Sequence, residues 1–184
     1  MVIAIIALLA SIVSASLSSA RAKARDAFRK SALHELKNAL ELYHAANNAY
    51  PVAKSDKGLA NEWFSSEPDD SAPNGDNNDG KWIPDLVAQK YISSLPKDPR
   101  GGASLYSNCG TWKSAFWYES DGKNYKLLSH CAPEGTLSPN DSFFDPIRPT
   151  NSWMVTNKGD MPPIGNCESK TYKYVFGTDY PICW

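Results

Sequence analysis

The chain has 184 residues, 42% of them apolar and 21% charged, a composition that excludes both an intrinsically disordered chain and a collagen-like one. Its formal net charge of −1 offers no general attraction to nucleic acid or to a membrane surface. The charge is unevenly placed: residues 1–50 hold Arg21, Lys23, Arg25, Arg29, Lys30 and Lys37 against Asp26, Glu35 and Glu41, a balance of +3, so the rest carries −4.

Residues 1–20 contain no charge, and the run Met1–Val13 has Ser11 as its single polar residue. Twenty helical residues span about 30 Å, one hydrocarbon thickness. The candidate membrane or filament-core residues are Val2, Ile3, Ile5, Ile6, Leu8, Leu9, Ile12, Val13 and Leu17. A secretory signal peptide is a competing reading, but its basic residues should precede the apolar core, and here they follow it. A soluble core helix would be apolar on one stripe rather than all round.

After Arg21 the pattern narrows to a stripe. Leu33, Leu36, Leu40 and Tyr43 recur at intervals of three and four, which predicts one face packed on a globular head. No Gly or Pro interrupts the chain before Pro51, and Asn47-Asn48-Ala49-Tyr50-Pro51 supplies a stop. The expectation is one helix over residues 1–50, apolar over 1–20 and head-packing over 21–50, followed by a head over 51–184.

The head begins with loop-like composition. Asp69, Asp70, Asp76, Asn77, Asn78 and Asp79 form an oxygen-rich stretch. An EF-hand register fails there: with Gly80 as the sixth position, the first ligand would be Gly75 and the twelfth Leu86. It reads as a solvated loop. Lys81 to Ile92 predicts a short helix with Pro84 near its start, ended by Leu95-Pro96-Lys97-Asp98-Pro99. Lys113–Glu119 and Asn124–Cys131 flank the turn Ser120-Asp121-Gly122-Lys123 and predict a hairpin. Further strands are expected at Trp153–Thr156 and Thr171–Phe176. The fold class is α+β, a long helix on a small antiparallel sheet.

All four cysteines, Cys109, Cys131, Cys167 and Cys183, lie in the second half without a Cys-x-x-Cys pair. They read as two disulfides made in an oxidising compartment. Three pairings exist, and short local loops favour Cys109–Cys131 and Cys167–Cys183. His34 and His44 lie ten apart on the helix and share no face with each other, and His130 stands elsewhere, so no metal site and no cofactor is expected. No nucleophile elbow, phosphate loop or Cys/His arrangement is present, so no enzyme is expected. Six tryptophans (Trp63, Trp82, Trp112, Trp117, Trp153, Trp184) read first as core. Read second, they are stacking platforms for glycans or surfaces, with no basic cluster in the head to favour nucleic acid.

The segment Val2-Ile3-Ala4-Ile5-Ile6-Ala7-Leu8-Leu9-Ala10, the unbroken helix ending at Tyr50-Pro51, the Leu95–Pro99 run and the hairpin together resemble the type IV pilin and type II secretion pseudopilin superfamily. The resemblance covers residues 1–55 well and 81–130 loosely. It implies a structural pilin that waits in the cytoplasmic membrane and then polymerises through its helix into an extracellular filament. Its implied partners are further copies of itself and an inner-membrane assembly machinery, with a surface or glycan as an added ligand class. A pseudopilin of a secretion machine is the alternative within the superfamily, and a membrane-anchored surface- or glycan-binding module the alternative outside it. The family's basic leader ending in Gly, its N-terminal aromatic residue and its early glutamate do not occur here. The expectation is that several residues precede Met1 in the full protein. The positive-inside rule would place Arg21–Lys30 in the cytoplasm, whereas the cysteines and the resemblance place the head outside.

Overall fold

The structure, a computed structural model, describes residues 2–52, 64–67, 82–101, 106, 109, 113–146 and 148–157. The helix α1 runs unbroken over Val2–Asn47, 46 residues and so about 70 Å. Asn48 ends it in the left-handed region at φ 56, a conformation asparagine tolerates better than most residues, and its N–H returns to the His44 carbonyl at 2.8 Å. Asn47 Nδ2 donates to the Tyr43 carbonyl at 3.0 Å, satisfying another terminal acceptor.

Four strands, β1 (Phe64–Ser65), β2 (Ala115–Ser120), β3 (Tyr125–His130) and β4 (Ser152–Thr156), form one sheet in that order, antiparallel throughout. The β2–β3 turn is built from side-chain acceptors. Asp121 Oδ1 takes the N–H groups of Lys123 and Asn124 at 2.8 and 2.6 Å. Gly122 sits at φ 88, and a Cβ there would stand 3.2 Å from the Val52 side chain, so the position needs glycine twice over. The Gly122 carbonyl accepts the Tyr50 N–H at 2.8 Å, and the Tyr118 hydroxyl donates to the Pro51 carbonyl at 2.6 Å. The end of the helix is thereby pinned to the hairpin.

Strand alternation sorts the core. Phe116, Tyr118, Tyr125, Leu127 and Trp153 face α1 and meet Ala32, Leu33, Leu36, Ala39, Leu40 and Tyr43, all buried. The opposite face carries Ala115, Trp117 and Leu128 in a second, smaller cluster.

The hairpin and β4 fall within one or two residues of the predicted strands, the usual play at element ends. Residues 82–92 differ from the expected helix. Asp85 and Lys90 take φ 65 and 64, and the hydrogen bonds alternate in span, from Lys90 N to Val87 O and from Tyr91 N to Leu86 O. A run this short gains little from helix formation by itself. Burial of Trp82, Ile83, Leu86 and Ile92 in the core sets its path instead. The oxygen-rich loop, Cys167, Cys183 and the Thr171–Phe176 strand lie outside the described residues.

Cys109 and Cys131 form a disulfide with Cα atoms 6.2 Å apart, closing a separation of 22 residues. In the chain-entropy view that contributes about 3 kcal/mol. Reduction in detergent should lower stability to denaturant by about that amount, read from the tryptophan fluorescence transition. Leu36→Ala should cost about 2–5 kcal/mol in the same assay, while Leu42→Ala, on the exposed side of the helix, should stay within about 0.5 kcal/mol.

Candidate assembly surface and the helix–head clamp

The first half of α1 is exposed in the described structure. An 18-residue window reaches a mean hydropathy of 2.3 with none of it buried, so the helix is long and apolar enough to cross a membrane. Val2, Ile3, Ile5, Ile6, Leu9, Ile12, Val13 and Leu17 are all exposed, from 83% at Ile3 to 47% at Leu17, and Leu8 lies in the same helical run. Beyond Arg21 the exposed bulky apolar groups of the helix are Phe28 and Leu42. The other predicted set lies elsewhere on the helix: Leu33, Leu36 and Leu40 are fully buried against the sheet and Tyr43 is 9% exposed.

Between these two halves stands a polar clamp that the apolar pattern does not contain. Arg29 is completely buried. Its Nε and Nη2 donate to the two oxygens of Asp98 at 2.7 and 3.0 Å, a bidentate pair. Its Nη1 donates to Asp26 at 2.8 Å and to Glu134 at 2.9 Å. Arg25 adds a 2.6 Å bond from Nε to Glu134. Asp26 in turn accepts the backbone N–H groups of Glu134 and Gly135 at 3.0 and 2.7 Å. A Cβ at Gly135 would stand 3.2 Å from that carboxylate, so a side chain there would crowd the contact. One turn on, Lys30 pairs with Asp141 and lies 4.6 Å from the centre of the Trp153 ring.

The electrostatics follow from these contacts. Burial opposes the Arg29 charge, but hydrogen bonds to Asp98 and Glu134 more than offset it, and the guanidinium is held more firmly protonated than usual. The Arg25 hydrogen bond, with Arg29 behind it, pulls the Glu134 carboxyl down to about 2. The outer sheet face behaves differently. Burial pushes Glu119 up to about 7 and Lys126, directly across the β2–β3 ladder, down to about 8.

The clamp residues carried one legible signal. Arg29 lies four, seven and eleven residues before Leu33, Leu36 and Leu40, so it occupies the first position of the buried stripe. A lone cation in register with an apolar face demands a buried acid. Nothing in the sequence named Asp98 and Glu134 as its partners.

The ligand atoms of Cys109, His130 and Cys131 lie within 4.8 Å of one another. Both sulfurs are spent in the disulfide, so the trio offers no thiolate. Trp82, Trp117 and Trp153 are buried and serve as core rather than as stacking platforms; Trp63, Trp112 and Trp184 lie outside the described residues. No family model, curated protein or solved structure matches the chain.

Glu134 gives the clamp a pH signature. Its folded value, about 2, lies below the ordinary 4.5, so its contribution is complete above pH 4.5 and vanishes as pH falls toward 2. The expected loss over that window is on the order of 3 kcal/mol. Glu119 stays protonated in the folded chain over this window, but its unfolded form titrates near 4.5, so acidification relieves a penalty of about 1 kcal/mol there and offsets part of the Glu134 loss. Denaturant melts at pH 5 and pH 2.5 should show the drop in the parent chain and less than half of it in Glu134→Gln.

Proposed function

We propose that the chain is a structural pilin, the subunit of a type IV pilus-like extracellular filament. The observation that carries this reading is a single rigid helix with two environments: a fully exposed apolar half, and a second half locked into a disulfide-bonded α+β head. The apolar half would lie in the cytoplasmic membrane before assembly. It would then enter a bundle of identical helices, while the heads form the outer surface. Contacts between unlike patches of neighbouring copies do not close on themselves and so propagate as a helical filament. Partners are therefore other copies of the chain and the membrane machinery that extracts them.

The clamp supports an outward head. Of the five cations following the apolar run, Arg25, Arg29 and Lys30 are paired with Glu134, Asp98, Asp26 and Asp141 in the folded chain. Their charge is committed to structure, which weakens their weight as a cytoplasmic retention signal. The disulfide favours the same side.

The test is a charge in the apolar half. Ile5→Asp or Leu9→Asp should abolish surface filaments, seen by electron microscopy, while the head keeps its disulfide and its denaturation midpoint in detergent. Normal filaments bearing either variant would sink the proposal. A secretion defect without visible fibres would assign the chain to a pseudopilin instead.

A further inference from the structure

The clamp accounts for three of the five cations that follow the apolar run, and leaves two. Arg21 and Lys23 are exposed and take part in none of the ion pairs among the described residues. They sit at one level of the helix. Twenty uncharged residues precede Arg21, about 30 Å of helix, so when residues 1–20 fill a hydrocarbon layer Arg21 and Lys23 emerge at the depth of the phosphates. A shallow crevice opens on the Arg21 side, lined by Ser14, Leu17, Ser18, Arg21 and Arg25. Its members are spaced three and four apart and share one face. Leu17 gives the crevice an apolar wall, and Ser14 and Ser18 lie about two turns and one turn below Arg21, on the hydrocarbon side. Arg25 turns toward Glu134 through Nε and Nη2, which caps the crevice on the head side. Lys23 lies two residues on, about 200° around the helix, so it faces a second lipid.

We infer that this collar binds the phosphodiester headgroups of anionic lipids while the chain resides in the bilayer, with Arg21 on one lipid and Lys23 on its neighbour. An arginine fork matches a phosphate's oxygens, and the long stem lets the charge reach up to the headgroup plane. Each basic residue near an anionic surface strengthens attachment by about fivefold. The ligand is the lipid rather than free phosphate, because the crevice wall and the depth of the site both belong to the hydrocarbon boundary. The inference rests on the membrane part of the proposed function, not on polymerisation.

Native mass spectrometry of the full chain, released from detergent with equal phosphatidylglycerol and phosphatidylcholine, tests it. The parent should retain phosphatidylglycerol at least about fivefold over phosphatidylcholine. Arg21→Gln with Lys23→Gln should erase the preference, while Lys37→Gln, exposed further along the helix, should keep it. Equal retention of the two lipids by the parent, or an unchanged preference in the double variant, would overturn the inference. So would displacement of the lipid by an equal concentration of inorganic phosphate. Insertion into vesicles of phosphatidylcholine alone separates the two failures. A chain that inserts without lipid preference sinks only the collar; a chain that does not insert at all sinks the membrane reading with it.

Discussion

Arg29 is a guanidinium with no access to water, and the arrangement of the head follows from keeping it satisfied. Leaving such a charge unpaired costs several kcal/mol, so every donor must find an acceptor. Asp98 arrives from the Leu95–Pro99 run, Glu134 from the segment after the disulfide, and Asp26 from one turn earlier on the helix itself. Three separated parts of the sequence are thus tied to one side chain. The net worth of a buried ionic cluster is small, because desolvation consumes most of the Coulomb gain. Its value is geometric. Apolar stripes tolerate sliding and rotation, whereas a bidentate fork with two further acceptors admits one register of helix on head.

That register joins the two halves of the helix into one lever. Below the clamp the sheet face grips Leu33, Leu36 and Leu40; above it the helix runs free. Because α1 is continuous through the clamp, any force on the apolar half reaches the head without a hinge. At the far end, Asn48 turns the chain, Tyr50 binds the hairpin turn, and the Tyr50 ring packs 4.4 Å from His44 and 4.7 Å from Tyr125. The head-packed half is therefore fixed at both ends, by charge near residue 29 and by hydrogen bonds and rings near residue 50.

The sequence made the large features readable for reasons of periodicity. The spacing of Leu33, Leu36, Leu40 and Tyr43 marks one helical face, and Asp121-Gly122 with flanking aromatics marks a hairpin; both signals are local. The Cys109–Cys131 pairing followed from a short loop, and it stands in the structure. What escaped was non-local. Residues 82–92 contain helix-like spacing, yet Trp82, Ile83, Leu86 and Ile92 reach the core through two left-handed residues, a path dictated by the volume beneath α1. The acids of the clamp were equally invisible, because Asp98 and Glu134 look like ordinary surface carboxylates until the fold brings them 69 and 105 residues along the chain to Arg29.

On the proposed pilin reading, the exposed half of the helix constrains how assembly would be driven. Eight bulky side chains from Val2 to Leu17 stand in the open, and burying each is worth about 1.5–3 kcal/mol against water. That sum, roughly 12–24 kcal/mol, is comparable to or larger than the net stability of a small head, so leaving the helix uncovered in water is strongly disfavoured. A bilayer and a bundle of like helices cover it almost equally well, since lipid tails are as apolar as leucine. Moving the helix from one to the other gains little hydrophobic free energy. In the proposed filament, the direction of assembly would therefore come from elsewhere: from contacts between heads, from close packing of small residues such as Ala4, Ala7 and Ala10, and from work done by an assembly machinery. The clamp is what would let such work, applied at the head, lift the helix out of the lipid without pulling the subunit apart.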